Sequence, residues 1–368
     1  MSLTLYPAAL GAMGGPIAEI IDAAGDGNGA VLEGPYGVAA DSSGNAYVAG
    51  FHTANAFKIT PSGEVLEIID ATGDGAGNML DRPYGLKTDD SGNLYITGYR
   101  SDNAFRIADD GTITQLIDAT GDGTHILNGC KAIVLDSSGN VVVTGFLSDN
   151  VFRITPAGVI TQILDATGDG EGNLLDGPWS LAVDGSDNVY VAGFWSDNAF
   201  KISPTGEITT IIDATGDGAG NPLESVGGIA VTRSGKVFVS GYFSNNAFTI
   251  SPGGIITEII DETGDGAGNP LGLATGIGYD SYGNVFVVGF ESDNAFKISG
   301  GVITEIIDAD GDGAGHILDE PRSLAIDGSG TAYVPGFSSH NAFRIPPTEA
   351  PEIFSDDFES GDTSAWNP

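Results

Sequence analysis

The stretch Asp213-Ala214-Thr215-Gly216-Asp217-Gly218-Ala219-Gly220-Asn221-Pro222-Leu223-Glu224 occurs, with variations, seven times in this chain of 368 residues. Its first aspartates are Asp22, Asp70, Asp118, Asp165, Asp213, Asp261 and Asp308, a step of 47 or 48 residues. A fixed period of that size marks stacked supersecondary units, none of which can bury its own apolar face alone. Between one acidic stretch and the next the order of segments is constant. In the fourth full unit, 181–184 reads as a short apolar strand, 185–188 as a turn and 189–194 as a β-branched and aromatic strand. A turn at 196–198, a strand at 199–202, a turn at 204–206 and a strand at 207–212 complete it. Short strands bounded by Gly, Asn, Asp and Pro are the all-β pattern. Four antiparallel strands in about 48 residues describe a propeller blade.

The first three strands of a blade occur seven times, the last within 324–345, and no fourth strand follows Ile345. The segment 17–21 (Ile-Ala-Glu-Ile-Ile) is a spare fourth strand at the other end of the chain. Pairing it with 342–345 completes the last blade and covers both open edges. The expected architecture is therefore a seven-bladed propeller over 17–345, its last blade shared between the two ends. Residues 1–16 are expected to form a loose arm, and 346–368, with Pro346, Pro347 and Pro351, a linker and acidic tail. The tail's 354–366 segment resembles a short motif of exported bacterial proteins.

The acidic stretch also has the composition of a calcium loop. Numbered as twelve positions, Asp213 is 1, Thr215 is 3, Asp217 is 5, Gly218 is the turn at 6, Asn221 is 9 and Glu224 is 12. That order of side chains and carbonyls can supply the six to eight oxygens calcium takes. It resembles an EF-hand loop without the flanking helices. The resemblance implies Ca²⁺ ligands at Asp22, Asp26 and Glu33; at Asp70, Asp74 and Asp81; and at Asp165, Asp169 and Asp176. It implies the same at Asp213, Asp217 and Glu224, and at Asp308, Asp310, Asp312 and Asp319. Two copies depart from it: the one at Asp261 has Gly272 at position 12, and the one at Asp118 is a residue short. The competing reading of the same residues is a pair of Asx-turns between strands.

The remaining pattern, Gly-x-Ala-Val-Asp-x-x-Gly-Asn-x-Tyr-Val-Ala followed by Asp-Asn-x-Phe-Lys-Ile, resembles NHL repeats across 33–345. The resemblance implies the propeller fold. It leaves function open, because such propellers include lyases, RNA binders and protein-binding scaffolds.

The chain holds 50 acidic and 13 basic residues, a net charge of −37. Phosphate backbones and anionic membranes are poor partners for such a surface, which repels itself unless cations screen it. A single cysteine, Cys130, precludes an intrachain disulfide, and no apolar run is long enough for a membrane-spanning helix. The first residues lack the basic start of a signal peptide, so an extracellular or periplasmic location implies a leader already removed.

Two columns change chemistry from copy to copy while their neighbours stay nearly fixed. One precedes the first strand: Tyr36, Tyr84, Lys131, Trp179, Gly227, Thr275 and Arg322. The other follows the second strand: His52, Arg100, Leu147, Trp195, Phe243, Glu291 and Ser338. Antiparallel strands alternate their ends, so both columns and all the acidic loops share one face. The first strand is innermost in a propeller, so the first column rings the channel mouth. Aromatic side chains with a few charges in a concave mouth describe a ligand site. The ligand expected there is a carbohydrate or a protein.

The phenylalanine at Phe57, Phe105, Phe152, Phe200, Phe248, Phe296 and Phe343 is expected as core between blades. The asparagine two residues earlier is expected as a turn cap. Of the four histidines, His52, His125, His316 and His340, only His52 lies in a variable column. A lyase or hydrolase would need a histidine and a glutamate facing each other across the mouth, and His52 with Glu291 is the one candidate pair. The sequence thus favours a secreted, calcium-stabilised, non-catalytic binding propeller. The alternatives are an enzyme acting at the mouth and a structural subunit of an extracellular assembly.

Overall fold

The computed structural model describes residues 15–347. Among these the chain forms seven four-stranded antiparallel sheets and no helix. Most of the expected arm and nearly all of the tail lie outside the described residues. In six sheets the strands follow one another in chain order; blade four, for instance, is Pro178–Val183, Val189–Gly193, Asn198–Ile202 and Ile208–Ile212. First strands of successive blades pack side by side around the ring. No helix is long and apolar enough to cross a membrane among the described residues.

The chemistry of each strand follows from its place in the ring. Second strands such as Val189–Gly193 are buried along their whole length, because each is sandwiched between two neighbouring blades. That is why they read as continuous apolar runs rather than alternating ones. Fourth strands such as Ile208–Ile212 form the outer edge and expose part of one face. The recurrent phenylalanine is core, as expected: Phe57, Phe105, Phe152, Phe200, Phe248, Phe296 and Phe343 are all fully buried. The packing runs between blades, since Phe248 of blade five shares a cluster with Tyr190, Ala192 and Ala199 of blade four.

The ring closes as the chain order predicted. Ala18–Ile21 pairs antiparallel with Asn341–Ile345, placing Glu19 opposite Phe343. Asn341 Nδ2 donates to Glu19 Oε1 at 2.9 Å, a side-chain link between the two ends of the propeller.

The recurrent asparagine does more than cap a turn. In blade four, Asn198 Oδ1 accepts from the Ser196 hydroxyl at 2.8 Å, which is the expected turn role. Its Nδ2 also reaches 24 residues back and donates to the Leu174 carbonyl at 2.9 Å. The same bond joins Asn55 to Val31, Asn103 to Met79 and Asn341 to Ile317. The asparagine therefore pins each acidic crossover to the blade that follows it. Glycine is required beside it, because a Cβ on Gly193 would overlap the Ser196 hydroxyl.

Candidate functional site

The first variable column owes its direction to a repeated irregularity. The pairing of the first and second strands slips at Pro35/Val38, Pro83/Leu86, Cys130/Ile133 and Pro178/Ser180. It slips again at Val226/Gly228 and Ala274/Ile277. A β-bulge re-aims the side chain it contains. Here the bulged residues are Tyr36, Tyr84, Lys131, Trp179, Gly227 and Thr275. The first four line the central cavity with Arg322. That cavity has a volume of about 350 Å³, and apolar residues of the first strands line its depth. The size falls in the usual range for a small-molecule site.

A second ring of aromatics, not singled out from the sequence, surrounds the first column. It is the residue after the glycine that ends each second strand: Phe51, Tyr99, Phe146, Phe194, Tyr242, Phe290 and Phe337. Phe337 lies 6.1 Å from Phe51, Phe51 6.4 Å from Tyr84, and Tyr84 6.1 Å from Tyr99. Tyr99 lies 6.3 Å from Phe146, Phe146 5.4 Å from Trp179, and Trp179 stacks on Phe194 at 4.4 Å. Tyr242 and Phe290 continue the series. The Arg322 guanidinium fills the last gap, 4.4 Å from Phe290 and 4.1 Å from Phe337. The mouth is thus a closed girdle of rings at aromatic contact distances. Its sequence signal is constancy: an aromatic in every copy at a strand end reads as core, and differences between copies do not mark it.

Two cations sit inside this girdle in different environments. Lys131 is only 3% exposed, with its ammonium 4.3 Å from the Tyr84 ring, 4.4 Å from Phe146 and against the face of Trp179. Burial pushes it well below its ordinary value, and the positive charge of Arg322 adds to the shift. Arg322 has a partner, Glu320 Oε2, at 3.0 Å. Tyr36 and Tyr84 face each other with ring centroids 3.8 Å apart, and burial pushes Tyr36 up to about 12.

The second variable column lies farther out. Its backbone amides pair with the last residue of the preceding acidic crossover: His52 with Glu33, Arg100 with Asp81, Trp195 with Asp176 and Phe243 with Glu224. The side chains remain exposed; Trp195 and Phe243 are each 52% accessible. Trp195 touches Phe146 at 4.5 Å and Phe243 touches Phe194 at 6.2 Å, so these two widen the girdle over blades four and five. Arg100 pairs with Asp81 at 3.7 Å. The pair His52 and Glu291 does not form. The two residues sit on blades one and six, only two steps apart around the ring, and no hydrogen bond or ion pair joins them. His52 packs instead against Phe51 and Phe337 at 5.2 and 5.3 Å.

The acidic crossovers close on themselves. Asp213 Oδ1 accepts from the Thr215 amide at 2.9 Å and its hydroxyl at 2.6 Å. Asp217 accepts from the Ala219 amide and the Asn221 side chain, both at 2.8 Å. These donors hold Asp213 and Asp217 below the usual carboxylate range. Gly216, at φ 61°, is needed because a Cβ there would overlap the Asn221 carbonyl. The backbone carbonyl of position 12 accepts from the neighbouring turn, as Glu224 does from the Phe243 amide. Among the described residues no three His, Cys, Asp or Glu side chains converge as a metal group. The geometry of each crossover, without an ion, is that of consecutive Asx-turns.

Fold and mouth together define a seven-bladed β-propeller with an aromatic-ringed channel entrance. Solved structures are similar to the chain in fold. Virginiamycin B lyase from Staphylococcus aureus is similar with a TM-score of 0.68 and 15% identity, over 90% of this chain and 99% of its own. A streptogramin B lyase is similar at 0.67 and 13% identity, over 89% and 96%. Hydrazine synthase from Kuenenia stuttgartiensis is similar at 0.63 and 13% identity, over 86% and 96%. At such identities the likeness is one of fold. No family model and no curated protein sequence matches the chain.

Proposed function

We propose that this chain is a non-catalytic, ligand-binding propeller of NHL type, working outside the cytoplasm, and that the ligand enters the aromatic girdle of the channel mouth. The observation that carries this reading is the girdle itself. Soluble proteins rarely present so many rings on one concave surface without a use for it. Carbohydrate stacks on such rings, and so does an aromatic side chain of a protein partner. The test is a glycan-array and pull-down comparison of the wild type with Trp179→Ala and Trp195→Ala. Binding that survives both substitutions counts against the mouth as the site. The lyase reading, which two of the structural neighbours invite, has no support from His52 and Glu291. Turnover of a streptogramin abolished by His52→Ala would restore it.

Calcium enters this proposal as the ion held by the EF-like acidic loops, where it also neutralises the rim. Each crossover offers carboxylate oxygens beside loop carbonyls on a chain of net charge −37. Divalent cations gathered there would relieve the self-repulsion. Calcium is then expected to raise the melting temperature above that reached in NaCl of equal ionic strength, and EDTA to reverse the gain. Equal melting in the two salts would reduce the effect to general screening.

A further inference from the structure

This inference rests on the mouth being a ligand site, and it names the chemistry of what enters. The chain carries 50 acidic and 13 basic residues. Yet the central cavity is lined by three cations, Lys87, Lys131 and Arg322, and by no carboxylate. A cavity on so acidic a molecule that excludes every acidic side chain is charge-selected rather than average. Lys131 is the centre of the argument. The residue as a whole is 3% exposed, its ammonium has ring faces around it, and it forms no hydrogen bond or ion pair with a carboxylate. Ring faces return only part of what an ammonium loses on leaving water, and a buried charge is ordinarily paired. A further donor at the same mouth, Arg322 Nε, is buried with no partner. Arg322 spends one nitrogen on Glu320, which lies outside the cavity lining.

We propose that the cavity binds a small molecule with a flat, aromatic body and one carboxylate. The body lies against Trp179 and Tyr84, and the carboxylate becomes the missing counter-ion of Lys131, with Arg322 adding to its field from the opposite side. The volume of about 350 Å³ suits a compact ligand rather than a polymer. A charge-assisted bond to an otherwise unpaired ammonium discriminates against a neutral isostere, whose binding leaves that ammonium unpaired.

The test uses the full chain and three near-isosteric probes: 3-phenylpropionate, 3-phenylpropionamide and 3-phenylpropylamine. Binding is followed by titration calorimetry and by tryptophan fluorescence. The acid is expected to bind about tenfold or more tighter than the amide, and the amine least. Lys131→Met, which fills the aromatic cage with an unbranched apolar side chain, should keep amide binding and abolish the preference for the acid. Arg322→Gln should weaken the preference. Amide or amine binding as tight as the acid, or a preference that survives in Lys131→Met, overturns the inference and leaves the mouth as a ligand site. So does silence from all three probes while glycan binding still depends on Trp179. A mouth that takes none of these, glycans included, overturns both readings. The melting curve of Lys131→Met, expected at or above the wild type, separates lost preference from lost fold.

Discussion

Lys131 is a buried base whose charge depends on pH in an unusual range. Burial holds its pKa well below the ordinary lysine value, and only the protonated form attracts an anion. Affinity for 3-phenylpropionate is therefore expected to fall as pH rises through that lowered value, well before pH ~10.4, where an exposed lysine would lose its proton. The sign for stability is opposite. A folded-state lysine pKa below the unfolded one penalises folding at low pH, and the penalty fades as pH approaches the ordinary value. Lys131→Met should accordingly be more stable than wild type at neutral pH, with the gap closing in alkaline solution; denaturant melts across pH check both. A second position is Ala54. It holds φ 53°, where the other blades place Asp102, Asp149, Asp197, Asn245, Asp293 and His340. Each of those side chains accepts from an amide of the next blade, as Asp149 does from Gly177 and His340 from Gly34 across the closure. Ala54 can do neither job. Ala54→Asn relieves a left-handed alanine and supplies an acceptor for the Arg82 amide, a gain of about 1 kcal/mol in a denaturant melt. At this scale the sequence revealed Trp179, Tyr84 and Lys131, because their column varied. It concealed Phe51 and its six counterparts, because a residue that never changes looks like packing. His52 and Glu291 do not face each other across the mouth because they stand on blades one and six, two steps apart around the ring.

The element that repeats is a blade plus the crossover that precedes it, and their joint is the asparagine of the third strand. Removing that amide strands a carbonyl of the crossover and the hydroxyl beside it. Asn198→Ala is expected to cost about 1–3 kcal/mol, the usual penalty for an unmet buried polar group. The loss should also speed proteolysis at 165–176, the crossover it pins, relative to the other crossovers. The alternating turns and strands were readable from the sequence because Gly, Asn and Asp sit where left-handed backbone is needed; Gly216 is one such case. The bulges were not readable. A bulge is a slip between two strands, and nothing in Pro178-Trp179-Ser180 taken alone announces that its partner strand is one residue short there. The same limit applied to the acidic crossovers. The backbone at position 12 pairs with the turn at Phe243, a contact between segments that single-copy spacing does not encode.

The whole molecule is a ring held shut by one small sheet built from both ends. Deleting residues 1–21 removes the outer strand of blade seven and the Glu19 carboxylate that Asn341 grips. The edge left open, Asn341–Ile345, is a template for pairing with another chain. The shortened protein is expected to melt at lower temperature and to elute as aggregates in size-exclusion chromatography, whereas Glu19→Gln, which retains the strand and an acceptor oxygen, should elute as the wild type does. The blade count and the shared blade were both legible, because counting copies of a strand requires no knowledge of contacts.

That seam also governs how the chain comes into being. Glu19 and Asn341 are 322 positions apart, so the first strand of the ring waits for the last. Every blade between them can assemble as it emerges, but the circle cannot shut until Ile345 is free to pair. For that interval two bare rims face the cell at once, and the many negative charges along the crossovers are well suited to keep one unfinished molecule from joining another.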